Sequence, residues 1–242
     1  MMIKKAIRNF FIFAMGLTAC ANGLGALEPV DQITYDTLAN SPWTDHVRAF
    51  RKLFELEKVN SFFEFGLGLG TKYFLDSCPQ VTSIELVVKD RAQYIVPWYY
   101  DCVSLFQRYS NWTPILYEFS DTVNAANQLA LLNLNPELFD ASYLNEIRQL
   151  CQGIFTTIHY DVAFVDAGIH IRGDLVNALF GYVDIIAAHD TNSNHACYGW
   201  YKINPPDNYE QITSTYGCGI TFWIKKDKQN LINQLKFSLL TP

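Results

Sequence analysis

The stretch "FFEFGLGLGTKYF", residues 62–74, decides how the chain is read. Apolar and aromatic residues run up to Glu64 and Phe65, then Gly66, Gly68 and Gly70 alternate with bulkier residues, and a helical pattern follows from Thr71. A buried strand that ends in bare backbone and passes straight into a helix is a strand–turn–helix unit. Glycine permits backbone angles closed to other residues and lets a ligand approach the main chain. The helix start presents N–H groups that lack an intrahelical partner.

Working outward, the same alternation of short apolar runs and longer helical stretches continues. Strand patterns cover 59–65, 81–86, 113–118, 160–165 and 183–188, and helical patterns cover 71–77, 89–107, 122–132 and 173–181. Near-continuous apolar strands separated by helices predict a parallel sheet covered on both faces, the doubly wound, Rossmann-like α/β class. "YEQITSTYGCGITFWIKK" (209–226) predicts two further strands, 209–215 and 219–225, turned at Tyr216–Cys218 into an antiparallel C-terminal hairpin. The connection 119–159 is too long for an ordinary loop, and "DASYLNEIRQLCQGIF" (140–155) has helical spacing, so a helical insertion is expected there. In "SPWTDHVRAFRKLFELEKV" (41–59), Ser41 or Thr44 is placed to cap a helix leading into the sheet.

The chain has 242 residues, 50% of them hydrophobic, which suits one well-cored domain over 22–242. A formal charge of −6 with no basic run beyond the first residues speaks against nucleic acid as a partner. The N-terminus differs from the rest. Lys4, Lys5 and Arg8 precede an apolar stretch at 10–19, the layout of a secretory signal over 1–21. "LTAC" (17–20) also resembles a bacterial lipobox, which would lipidate Cys20 and anchor the protein in the cell envelope; Ala19 and Ala21 offer the competing cut. Without a working signal the protein stays in the cytoplasm. Removing residues 1–19 takes three positive charges, so −6 becomes −9. None of the cysteines forms a C-x-x-C pair, Cys197 with Cys218 is the disulfide to consider, and buried thiols are the simpler reading.

In open α/β sheets the ligand lies beyond the carboxyl ends of the strands, where "EFGLGLGT" sits. Its G-x-G-x-G spacing is neither the G-x-G-x-x-G of dinucleotide sites nor a P-loop. Phosphate is therefore disfavoured, and a nicotinamide oxidoreductase with it. Glu64 suits an ammonium group. Glu85, in "VTSIE", is placed to accept the hydroxyl hydrogens of a ribose.

From about 43 to 225 the chain resembles a class I S-adenosylmethionine-dependent methyltransferase: "FFEFGLGLGT" is similar to the first motif, "TSIEL" to the second, and "DVAFVDAGIH" and "VDIIAAHDTN" to the fourth and fifth strands. The last pair resembles the metal-dependent O-methyltransferase branch. The resemblance implies S-adenosylmethionine held by Glu64, Gly66, Gly68, Gly70, Glu85, Ser120 and Asp121, and a small-molecule or glycan acceptor. It makes Asp166 and Asp190 neighbours at strand ends, where with Thr191 or Asn192 they would hold Mg2+ or another divalent ion. His170 would be the general base beside Asp166. His189 is expected to point away from Asp190 by strand alternation, and Arg172 with Asp174 to mark a helix start. Asp166 and Asp190 as simple turn caps is the competing reading. Trp200, Tyr201, Tyr209 and Trp223 line an acceptor pocket or belong to the core. An exported or lipid-anchored binding protein that keeps the fold without catalysis is the alternative function.

Overall fold

Side-chain alternation along "SFFEF" sends Phe63 and Phe65 into one hydrophobic core and Phe62 into another, so the strand that carries them is buried on both faces. The computed structural model describes residues 29–89, 92–126, 139, 141–168, 171–192 and 198–240. Its seven strands are β1 (Ser61–Phe65), β2 (Gln80–Val87), β3 (Trp112–Glu118), β4 (Val162–Val165), β5 (Ile185–His189), β6 (Tyr209–Ser214) and β7 (Ile220–Lys225). They form one sheet in the order β3-β2-β1-β4-β5-β7-β6. Strands β1 to β5 are parallel, and β7 runs antiparallel to both β5 and β6. This is the doubly wound sheet with an antiparallel hairpin at its C-terminal edge. Strand order reverses between β1 and β4, and that is where such sheets bind ligands.

The helices are α1 (Tyr35–Ala39), α2 (Val47–Leu56), α3 (Thr71–Ser77), α4 (Ala92–Leu105), α5 (Asp121–Ala126), α6 (Ala141–Phe155), α7 (Arg172–Leu179) and α8 (Gln229–Leu240). One face of the sheet is covered by α6 and α7, which bury Tyr143, Ile147, Cys151, Phe155, Leu175, Val176 and Leu179. The four-residue spacing of the α6 set keeps it on one helix face. The other face is covered by α2, α3, α4 and α8 through Phe50, Leu53, Phe74, Cys102, Ile232 and Leu235. The 119–159 connection thus contributes α5 and α6. The pattern extending to 132 and the 1–21 signal, with Cys20, lie outside the described residues. Among the described residues no helix is long and apolar enough to cross a membrane.

Two local expectations need correction. Neither Ser41 nor Thr44 caps α2: its N-cap is His46, Thr44 donates to the Leu38 carbonyl, and Ser41 accepts from Trp43 N–H. The capping box lies earlier, at Thr34 and Thr37 of α1. Second, β2 runs to Val87, one residue past the predicted end at 86, because β3 continues to pair with it that far. Cys218 is a thiol that donates to the Pro42 carbonyl, and Cys78, Cys102 and Cys151 are buried thiols, in line with the simpler reading; Cys197 lies outside the described residues.

Candidate functional site

The glycine turn is built against the end of β4. Gly66 has φ +90°, and a Cβ there would stand 2.4 Å from the Asp166 carbonyl oxygen, so only glycine lets the two strand ends meet. The ladder closes on either side, Gly66 N–H donating to Ile84 (2.7 Å) and Asp166 N–H to Phe65 (2.8 Å). The turn therefore sits at the switch point between β1 and β4.

Glu64 lies opposite Ser83 in the register, and the two-residue period puts Glu85 on that same face. Glu64 Oε1 accepts from Thr71 Oγ1 (2.7 Å) and Ser83 Oγ (2.6 Å). Those hydroxyls in turn accept from Gly68 N–H (3.0 Å) and the Trp112 indole (2.8 Å), which fixes both as donors toward Glu64. Because β1 stops at Phe65, opposite Ile84, Glu85 projects past the end of β1 and takes Leu67 N–H on Oε2 (3.1 Å). Both carboxyls are buried. Burial pushes Glu64 up to about 8 and Glu85 up to about 7. The two acids and the turn stand together at the switch point, linked through Leu67, Gly68 and Thr71. Trp98 of α4 lies over it, donating its indole N–H to the Leu67 carbonyl (2.9 Å) beside Gly68.

Asp166 and Asp190 also converge, and Arg172 stands between them. Its Nη1 lies 2.9 Å from Asp166 Oδ1 and 2.8 Å from Asp190 Oδ2, while Nε donates to the Ala167 carbonyl (2.8 Å). Far from being only a helix start, Arg172 is buried, and the two carboxylates beside it, with the Tyr198 ring facing it, raise its pKa further despite burial. A guanidinium already stands between the two carboxylates where the expected ion would sit, so Asp166 and Asp190 do not share a divalent ion between them. Asn192 turns its amide to the Thr215 carbonyl (2.6 Å).

His189 does not point away. It ends β5, and Asp190 leaves the strand with a left-handed φ of 63°, which breaks the alternation. His189 Nε2 lies 2.8 Å from Asp45 Oδ1, and Nδ1 lies 3.4 Å from Asp166 Oδ1. Burial would discharge this imidazole, but Asp166, Asp45 and Asp190 outweigh it and raise it to about 10. Asp166 responds in kind: burial would raise it, yet His189 and Arg172 hold it well below the usual carboxylate range. Against them packs His46, pushed down to about 3 by burial and by the His189 charge. His170 lies outside the described residues.

Ser120 and Asp121 follow β3 and are exposed. Ser120 gives its N–H (3.0 Å) and hydroxyl (2.8 Å) to Glu146 of α6, and Asp121 pairs with Lys89 (3.0 Å). Of the aromatic set, Trp200 and Trp223 line a cavity of ≈ 260 Å³ with Thr191, Gln211, Thr213 and Thr221. Tyr209 is core, bonded to the Val183 carbonyl, and Tyr201 is exposed. Asp45, His46, Arg172 and Glu146 were not singled out by sequence as site residues. The available signal was charge: three aspartates in one place require buried cations.

No family model matches the chain, and no curated protein matches it. Among solved structures it is similar to a Staphylococcus aureus protein provisionally named a caffeoyl-CoA O-methyltransferase (13% identity, 74% of this chain and 82% of that one, TM-score 0.46). It is also similar to a Podospora anserina methyltransferase bound to SAH (13%, 87% and 93%, TM-score 0.45). A third is a TDP-rhamnose 3'-O-methyltransferase of calicheamicin biosynthesis (11%, 88% and 93%, TM-score 0.41). At such identities and TM-scores neither fold nor chemistry is carried across, and both are read from the strand order and the side chains.

Proposed function

We propose that the protein is an S-adenosylmethionine-dependent methyltransferase acting on an oxygen of a small-molecule or glycan acceptor. One observation carries the reading: at the switch point, Glu85 and the Gly66–Gly70 turn form a joint cradle in which a carboxyl stands beside bare main chain. Glu85 takes the ribose hydroxyls. Glu64, held by Thr71 and Ser83, keeps the turn in shape and adds a nearby acid for the amino-acid end. That end binds where the Trp98 indole now holds the Leu67 carbonyl, so the indole moves aside on binding. Ser120 and Asp121 lie at the adenine edge.

The chemistry is a single displacement. An acceptor oxygen attacks the sulfonium methyl, a C–O bond forms as the S–C bond breaks, and the electron pair returns to sulfur as a thioether. The acceptor proton goes to a base, which the sequence places at His170, on the segment following Asp166. Asp166, its side chain 20% exposed, is held by Arg172. The chain's contribution is chiefly positioning.

A second reading, binding without catalysis, draws on the guanidinium between Asp166 and Asp190 and on the export-like N-terminus. Calorimetric titration of the purified chain with S-adenosylmethionine separates the two, since the binding-protein reading predicts no heat at millimolar ligand. Export and anchoring at Cys20 belong to the proposal as well: palmitate labelling of the full chain, lost in Cys20→Ser, tests them.

A further inference from the structure

We propose that His46, His189 and Asp166 bind a divalent first-row transition-metal ion, zinc foremost, at a site distinct from the Asp166–Asp190–Asn192 set. The starting point is His46. Its side chain is buried between Phe50, Phe74, Phe164 and His189, with ring centroids at 6.2, 6.1, 4.8 and 4.6 Å. Neither ring nitrogen has a hydrogen-bond partner. A buried polar atom without a partner is costly, so an imidazole serving only as filler among phenylalanines is unfavourable. A metal ion supplies the missing partner.

The distances suit a shared ion better than direct hydrogen bonds. His46 Nδ1 is 3.8 Å from Asp166 Oδ2, and His189 Nδ1 is 3.4 Å from Asp166 Oδ1. Both exceed the usual N–H···O range of about 2.7–3.2 Å. Two ligands each about 2.0–2.2 Å from a tetrahedral zinc stand roughly 3.4 Å apart. One ligand atom from each of the three residues lies within 4.8 Å of the others.

The surroundings also have the form of a metal site. The far nitrogen of His189 meets Asp45 Oδ1 at 2.8 Å, and Asp45 Oδ2 accepts from Cys218 N–H at 3.1 Å. Ligating histidines use that second nitrogen on a carboxylate, which sets the tautomer and orients the ring. The three residues sit at the start of α2 and the ends of β4 and β5. Charge closes as well. Asp45, Asp166 and Asp190 against Arg172 give −3 + 1 = −2, which a divalent ion neutralises with both imidazoles in the neutral form that ligates. Nitrogen and carboxylate donors favour a zinc-like ion over magnesium or calcium. Three protein ligands leave a coordination position for water or a substrate oxygen.

The test is cobalt titration of the full chain after stripping with a chelator, read as the visible d–d absorption of bound Co2+. One equivalent should bind and be displaced by Zn2+. His46→Ala should weaken binding at least ~100-fold, and Asp45→Asn, which removes no ligand, about 10–100-fold. Circular dichroism checks the fold of each variant, and Asp45→Asn still decides if His46→Ala fails to fold. Absence of a cobalt spectrum in the unaltered chain overturns the proposal, as does a spectrum unchanged in His46→Ala. A thiolate-to-cobalt band lost in Cys218→Ser also overturns it, by moving the ion to the Asp45–His189–Cys218 group. The readout is optical, so its outcome is independent of whether methyl transfer occurs.

Discussion

Replacing Glu64 by Gln should flatten the pH dependence of stability. In the folded chain burial raises Glu64 from the ordinary 4.5 to about 8, so between those values the native state holds a proton that the unfolded state has lost. Stability then falls as pH rises through this window, the reverse of a salt-bridged carboxylate. Each pH unit is worth about 1.4 kcal/mol, which over the interval amounts to about 5 kcal/mol, fully developed above pH 8. Gln keeps an oxygen to accept from Thr71 and Ser83 and cannot ionise. The assay is urea unfolding followed by tryptophan fluorescence at pH 5, 6, 7 and 8. The unaltered chain should lose stability steeply across the series, with Glu85 adding to the slope up to about pH 7. Glu64→Gln should remove about 1.4 kcal/mol per pH unit of that slope and be the more stable protein at pH 8. Parallel curves for the two proteins would refute the buried, protonated Glu64.

Other substitutions probe the remaining parts of the site. Arg172→Met should cost about 3 kcal/mol, because Asp166 and Asp190 are left facing one another without the guanidinium; thermal melting measures it. Gly66→Ala should cost at least about 2 kcal/mol, from the positive φ and the clash with the Asp166 carbonyl, and denaturant midpoints report it. Glu85→Ala should weaken S-adenosylmethionine binding about 10–100-fold, since at least one charge-assisted hydrogen bond is lost, and should also lower the melting temperature, because the buried Leu67 N–H loses its acceptor. Ribose hydroxyls favour the ionised form of Glu85, so cofactor binding should release a proton and tighten as pH rises from 6 to 8; calorimetry in buffers of different ionisation enthalpy counts that proton.

Period and punctuation made the sheet legible. Apolar runs such as "FFEF" and "IIAA" are buried on both faces and separated by helices, which admits little besides a parallel sheet. The glycine turn was legible for a related reason, since alternating glycines after a strand have few structural uses. The helix α8 escaped notice because "QNLINQLKFSLL" carries a modest apolar stripe in a polar run. The cation cluster escaped for a different reason. Asp45 and His189 are 144 residues apart in sequence and meet only because the residues leading into α2 pack against the end of β5. The alternation rule also misled at His189, where the left-handed Asp190 ends the strand one residue before the rule would need it to continue. Arg172 looked like an ordinary first residue of a helix because nothing local marks a residue whose partners lie on two strand ends.

The most direct measurement is titration calorimetry of the purified protein with S-adenosylmethionine. The cradle at Glu64, Glu85 and the glycine turn predicts a saturating isotherm at one ligand per chain below millimolar concentration, weakened in Glu85→Ala. A flat trace at millimolar ligand from a protein that melts cooperatively would contradict it.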